Sequence, residues 1–502
     1  MRKNILRVLC LLLVISMVFV MAACGGEDVS EEPSAESEAS TETSTDPESE
    51  YKDENGNYKT KLGVLDEYKG KTFTILVVGE GAGTYQSDDF TTEAGSGGID
   101  YGDTFYNEVL ARNDKVEEMY DITLEVQKLD NTTNEARTDA MTGTKLYDAM
   151  ILNVSGAAGL AQEGLLINLY DLENMDLVAP WWDQRANAAY SVANKLYFVT
   201  GDITIMNKVN TWSILFNKEM VANNSLDNPY DLYANGTWTF DKMCEMAATV
   251  NTATSPDQIE DPTVYYGILS AYGDIYRIYG GFGDTLCQKD SKDEPVLRFG
   301  SDEASVNNTI KILEKLNGAP WNIYAEQVPT DPWNKSFAAF YNNRVLFRPS
   351  GFSATTKLRA LATMEFGIVP MPKLDAAQED YWTVTDGSFA ACIAKNCADP
   401  EFSAYMLDAF AAEAKNYITP AYVEANLKWK ALRDDESAEI LDYIFSHINY
   451  DVAAVYNFGN ITNLFYSLAK AQSTDVVSSF DAIKGEIETA IEDVIINYQS
   501  DM

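Results

Sequence analysis

The chain carries 77 acidic residues, one histidine and six cysteines, and this inventory bounds the chemistry open to it. A lone His447 removes most Ser-His-Asp and metal-hydrolase arrangements, which draw on imidazole as base or ligand. Paired carboxylates could serve a glycosidase, but with so many acidic residues no pair stands out. Cys392 and Cys397 are spaced unlike common zinc sites, and His447 lies far away in sequence. GEGAGT at 79–84 follows a strand pattern as a dinucleotide fingerprint would. Thr84 stands in place of its last glycine, however, and a polar run to Asp100 replaces the helix, so the segment with Tyr85 is expected to form a flexible rim. DENGNY at 53–58 has its glycine in the wrong place for a calcium loop. No cofactor, no metal and no catalytic residue are expected. The eight tryptophans are the better clue, because sugar rings pack their apolar faces on flat side chains while their hydroxyls need fixed polar partners. Trp181 and Trp182 form either such a platform or a buried turn, whereas Trp333, Phe337, Phe340 and Tyr341 fall on a helical stripe that reads as core.

Those residues must be carried by elements whose order the sequence also suggests. At 502 residues the chain can form two lobes, each with its own core. Its net charge of −40 disfavours nucleic acid and anionic lipid as partners. Residues 1–23 read as an export signal: Arg2, Lys3 and Arg7, then an apolar stretch, then Ala22 and Ala23. With Cys24 next, MAAC at 21–24 resembles a bacterial lipobox, which implies a lipid on Cys24 and an extracytoplasmic protein held at the cell membrane. Residues 25–60 are acidic and Ser/Thr/Glu-rich, with no aromatic before Tyr51, so residues 24–65 are expected to be a lipid anchor and disordered linker. Cys244, Cys287, Cys392 and Cys397 read as buried thiols, with one or two bridges as the alternative.

From about residue 66 the pattern is α/β. Strands are expected at 72–78, 122–126 and 147–152, with helices between them, one striped by Phe105, Val109, Val116 and Tyr120. A second lobe opens with a strand at 211–217. Helices follow at 239–250, capped by Thr239, at 303–316, and after Asp331 as N-cap and Pro332 as first residue.

Four segments in this order resemble the family 1 extracellular solute-binding proteins of ABC importers. They are YDAMILN (147–153) with GLAQEGLL (159–166); NKLYFV (194–199) running into WSILFNK (212–218); FAAFYNNRVLF (337–347) with SGF (350–352); and FGIVPMP (366–372) with DGSFAA (386–391). The resemblance covers about 66–420, and RDDES (433–437) and YNFG (456–459) depart from it. It implies a two-lobed periplasmic-binding-protein-like fold with an interlobe ligand cleft and two crossover segments near 203–212 and 358–366. Lobe 1 would be 66–205 plus 362–418, and lobe 2 would be 209–361 plus 419–502. It implies a receptor, not an enzyme, that captures a carbohydrate, an oligosaccharide in view of the relatives, for ABC permease subunits. Ligand candidates are Tyr85 on the rim, Asn153 and Ser155 ending the third strand, Asp202 and Asn210 bracketing the first crossover, and Trp212 just beyond it. Phe352 would present its ring to sugar, and Trp382 and Asp386 lie before the returning strand. A polyamine-type ligand or a surface-anchored polysaccharide enzyme remain the alternatives.

Overall fold

The computed structural model describes residues 48–500 apart from 362, 363, 386 and 433, so the expectations for Cys24 and Asp386 lie outside the described residues. Lobe 1 is built on a four-stranded sheet in the order β11-β3-β1-β2, from β1 Thr72–Val78, β2 Thr123–Leu129, β3 Ala149–Asn153 and β11 Phe389–Cys392. β1 runs parallel to β2 and β3, and β11 returns antiparallel to β3. Parallel neighbours require helical crossovers, and the helix Asp103–Tyr120 supplies one, with Phe105, Val109, Val116 and Tyr120 all on its buried face. Lobe 2 is a five-stranded sheet in the order β10-β4-β9-β5-β8, from β4 Trp212–Asn217, β5 Tyr266–Ser270, β8 Asn322–Tyr324, β9 Val345–Gly351 and β10 Phe366–Val369. A separate hairpin, β6 Cys287–Lys289 and β7 Pro295–Leu297, reaches lobe 1, where Lys289 Nζ donates to the Ala188 carbonyl at 2.6 Å.

Three lobe boundaries differ from expectation. FGIV at 366–369 pairs with β4 of lobe 2, Phe366 opposite Asn217, so the second crossover follows that strand instead of preceding it. The two crossovers then run side by side: Thr211 bridges Thr385, and the Trp212 N–H donates to the Val384 carbonyl at 3.0 Å. The tail beyond 419 is also not confined to lobe 2. Helix Asp435–Ser446 packs on β10 of lobe 2, whereas Val452–Tyr456 packs on the lobe 1 helix Val154–Gln162.

The third correction concerns 48–65, placed in the linker by composition. Tyr51 is buried edge-on to Trp181 (5.4 Å, 86°) and donates to Asp176 Oδ2 at 3.0 Å, while Lys52 and Tyr58 bridge across a tight turn. Asn416 holds both backbone groups of Tyr58, at 2.8 and 2.9 Å. A few aromatic anchors suffice to fold a segment whose mean composition is polar.

Thr239 caps its helix as expected, accepting the Lys242 N–H at 3.2 Å. Asp331 does not: it adopts a left-handed conformation (φ +48°) and accepts from the Asn334 side chain at 2.9 Å, leaving Pro332 as the start signal. The four thiols are buried and unbridged, and burial raises each pKa, to about 12 for Cys244. Trp181 and Trp182 form a buried turn, both indole N–H groups donating to Asp408 Oδ1 at 2.7 and 2.9 Å. Among the described residues no helix is long and apolar enough to cross a membrane.

Candidate functional site

Strand ends and crossovers converge on two adjoining hollows of about 520 and about 240 Å³ that share Asn153, Arg277 and Gly387 as walls. Asn153 ends β3, and its side-chain oxygen accepts from the Ser155 N–H (3.0 Å) and hydroxyl (2.7 Å), capping the next helix. That fixes the amide of Asn153 and puts Ser155 on the wall of the larger hollow. Across the cleft Trp212 starts β4, and the Arg277 guanidinium lies over its indole, with Cζ 3.5 Å from the ring centroid. Arg277 Nη1 donates to Asp274 Oδ1 at 2.7 Å, while Asp274 Oδ2 takes the Ala271 N–H at 2.6 Å. Burial raises the Asp274 pKa, and Arg277 and Arg348 oppose it. Asn210 on the first crossover donates to the Gly387 carbonyl at 3.0 Å, tying the two crossovers together. Tyr85, 46% exposed, closes the smaller hollow from the rim.

Five expected residues therefore meet here: Tyr85, Asn153, Ser155, Asn210 and Trp212. Three others are elsewhere. Phe352 is 0% exposed and packs on Phe445 at 5.3 Å; the strand β9 that leads into it turns the ring into the core, so a sugar cannot reach it in this structure. Asp202 is buried in an ion cluster at the first crossover, with Lys208 at 3.1 Å, Lys415 at 3.2 Å and the Thr419 hydroxyl at 2.7 Å. Burial alone would raise its pKa, but the two ammonium groups hold it below the usual range. Trp382 lines neither hollow; it sits between Arg185, with Cζ 5.3 Å above the ring, and His447 at 5.7 Å.

Neither family models nor curated proteins give a match to the sequence. Solved structures do. The GacH receptor of Streptomyces glaucescens, known unliganded and with acarbose, superposes at TM-score 0.53 with 14% identity, over 84% of this chain and 99% of that one. An ABC substrate-binding protein from Listeria monocytogenes in complex with cycloalternan gives 0.52 and 12%, over 84% and 99%. A cyclo/maltodextrin-binding protein complexed with maltotetraose gives 0.54 and 15%, over 87% and 98%. The chain has the solute-binding-protein fold.

Within this solute-binding-protein fold the larger hollow is lined by residues that sequence reasoning missed: Tyr190, Tyr276, Arg277, Asn449, Asn463 and Tyr466. Tyr190, Tyr276 and Arg277 lie on helices, Gln184–Tyr190 and Asp274–Gly281, that sequence reasoning did not assign, and Asn449, Asn463 and Tyr466 lie in the tail, where the asparagine run of NFGNITN at 457–463 is the one signal that could have drawn notice. The carboxylate on the larger hollow's wall, Asp451, and Asp274 behind Arg277 are both committed to the protein. Asp274 serves Arg277, and Asp451 is buried and accepts the Leu286 and Ala453 N–H groups at 2.5 and 2.9 Å. Burial pushes Asp451 up to about 6. His447 lies flat on Tyr443 (3.8 Å, 9°) away from both hollows, and among the described residues no three His, Cys, Asp or Glu side chains are grouped to hold a metal.

Proposed function

We propose that this protein is an extracytoplasmic solute receptor for an ABC importer, tethered by a lipid on Cys24, and that its solute is a neutral carbohydrate. The observation that carries the reading is the chemistry of the interlobe walls. Amides, hydroxyls and tyrosines surround the hollows beside Trp212; the Arg277 guanidinium on both walls is paired with Asp274 behind it, and Asp451, the carboxylate on the larger wall, is bonded within the protein. A buried cation such as a polyamine would need carboxylates turned toward it; a sugar needs neutral hydrogen-bonding groups and a ring face. The solved relatives of this fold are described with acarbose, cycloalternan and maltotetraose, which favours the same class of solute. Ligand would draw the lobes together by binding the closed state better than the open one.

The test is to titrate the full-length chain in detergent with neutral mono- and oligosaccharides while following melting temperature and X-ray scattering. The expected result is a melting temperature that climbs with the concentration of one sugar, accompanied by a smaller radius of gyration. Release of shorter products from that sugar would replace the receptor by an enzyme. Stabilisation by spermidine and by none of the sugars would replace the sugar by a cation. Tethering is tested separately: Cys24→Ala is expected to move the protein from the membrane pellet to the supernatant.

A further inference from the structure

The hairpin β6–β7 has its roots in lobe 2 and its tip on lobe 1. At the roots Arg298 Nη2 pairs with Asp284 Oδ1 at 2.9 Å, and Asn308 on the lobe 2 helix Glu303–Leu316 donates to Asp284 Oδ2 at 2.7 Å. At the tip Lys289 and Asp293 meet the end of the lobe 1 helix Gln184–Tyr190 and the tight turn at 192–195 that follows it. Lys289 Nζ donates to the Ala188 carbonyl at 2.6 Å, to the Ser191 carbonyl, and to the Ser191 hydroxyl at 3.0 Å. These carbonyls belong to the last turn and the cap of that helix, so an ammonium from one lobe satisfies the C-terminal end of a helix in the other, where its charge suits the helix dipole. Asp293 holds the turn: Oδ1 accepts the Ser191 hydroxyl at 3.1 Å, Oδ2 the Asn194 N–H at 3.0 Å, and the Asp293 carbonyl the Ala193 N–H at 2.9 Å. Ala193 stands at φ +52°, a left-handed conformation that its Cβ disfavours, and the bond to Asp293 helps to hold it there.

Two features make this grip breakable. It is polar and set at turn tips where Asn194, Asp290, Ser291 and Lys292 are exposed, so water can replace its bonds at small net cost, as it cannot replace a packed apolar core. It also lies away from the crossovers. The gripped helix starts beside the first one, where the Asp183 N–H donates to the Thr200 carbonyl at 2.9 Å, and its length carries the far end roughly 10 Å off. A rotation of about 20° about the crossovers would move that end by roughly 3.5 Å, enough to part a hydrogen bond. In the same conformation Lys357 Nζ of lobe 2 donates to the Thr84 hydroxyl on the lobe 1 rim at 3.3 Å, so the grip and a contact across the rim are made together.

We propose that the β6–β7 tip is a latch between the lobes, made when the cleft closes and broken when it opens. Lys289 and Asp293 line neither hollow, so they set how much of the empty protein is closed without touching solute. Tyr190, the last residue of the gripped helix, does line the larger hollow, which puts the latch directly behind a wall of the site. The inference rests on the two-lobed fold and holds whatever the solute is.

The experiment measures the distance between nitroxide labels at Met141→Cys in lobe 1 and Trp333→Cys in lobe 2, both exposed positions, in the full-length chain in detergent without sugar. Double electron–electron resonance gives the distance distribution, and singly substituted controls remove signal from any other thiol. The doubly labelled parent is compared with Lys289→Met, which removes the ammonium and keeps the stem, and with Ser191→Ala, which weakens the grip from the lobe 1 side; melting temperature checks that each is folded. Lys289→Met is expected to raise the ratio of open to closed protein about tenfold or more, seen as a growing population at longer distance, and Ser191→Ala about two- to fivefold. A Lys289→Met distribution equal to the parent's, or moved to shorter distance, overturns the latch and leaves the hairpin a fixed strut. Should Lys289→Met fail to fold, Ser191→Ala decides in the same way. Because no sugar is present, either result leaves the carbohydrate reading to its own test.

Discussion

Replacing Asp408 by asparagine should stabilise the protein at neutral and alkaline pH and lose that advantage in acid. Asp408 is buried on the helix Pro400–Asn416, where one carboxylate oxygen takes both the Trp181 and Trp182 indole N–H groups. Burial raises its pKa from 3.8 to about 7, with the two indoles pulling the other way. Because the folded pKa lies above the unfolded one, the folded state holds a proton that the unfolded state has lost between about pH 4 and 7. Stability therefore falls as pH rises through that window and is level above it. The gap between those two values, at about 1.36 kcal/mol per tenfold in proton affinity, sets the cost of ionising Asp408 near 4 kcal/mol, as an upper bound. The introduced amide would keep an acceptor for both indoles and carry no charge, but its NH2 would replace the oxygen that accepts the Asp176 backbone N–H, a loss of roughly 1–3 kcal/mol. The expected gain from Asp408→Asn at pH 8 is then about 1–3 kcal/mol, shrinking to zero or below by about pH 4.5. Asp451 titrates in the same range but is common to both proteins and cancels in the difference. Urea unfolding followed by tryptophan fluorescence from about pH 4.5 to about pH 8 measures this directly. A difference between the two proteins that stays constant over the whole range would refute the reasoning.

Phe352→Ala should act on stability, at about 3–5 kcal/mol for an emptied aromatic core site, with solute affinity of the folded protein kept within threefold; a selective loss of binding would return the residue to the cleft. Asp202→Asn leaves Lys208 and Lys415 without the carboxylate they share, and should cost on the order of 3 kcal/mol at the first crossover, read as a lowered melting temperature. An unchanged melting temperature would mean that the cluster is solvated and contributes little. Trp212→Ala removes the ring under Arg277 and one wall of the smaller hollow, so sugar affinity should drop at least tenfold, about 1.4 kcal/mol; equal affinity would remove Trp212 from the site.

Local patterns were the readable part of this sequence. The apolar runs in 72–78 and 147–153 mark strands buried on both faces, and the stripe on Phe105, Val109 and Val116 marks a helix that buries one, so β1, β3 and the first long helix fall where the local pattern puts them. Lobe membership is a tertiary property. FGIV at 366–369 is apolar enough for either sheet, and only its register against β4 assigns it to lobe 2. The same distinction divides the candidate site. Asn153, Ser155, Asn210 and Trp212 line the hollows because strand ends and crossovers face the cleft in a two-lobed α/β body. Phe352 and Asp202 also stand beside crossovers in the sequence, yet the Phe352 ring packs on Phe445, and Asp202 has two lysines as partners that no spacing rule reveals. Arg277, Tyr276 and Tyr466 come from helices that look ordinary alone and become walls only when brought together.

The fold of residues 48–60 bears on how this protein should be shortened for study. Composition alone would put the first codon of a trimmed gene near 61, where the acidic run ends. Such a cut would remove Tyr51 from beside Trp181 and Tyr58 from its bonds with Asn416. It would also strip the ring that lies 4.9 Å from Lys415, the lysine that reaches Asp202 at the first crossover. A recombinant version begun at or before residue 48 keeps that turn, and with it the surroundings of the crossover on which any opening and closing would depend.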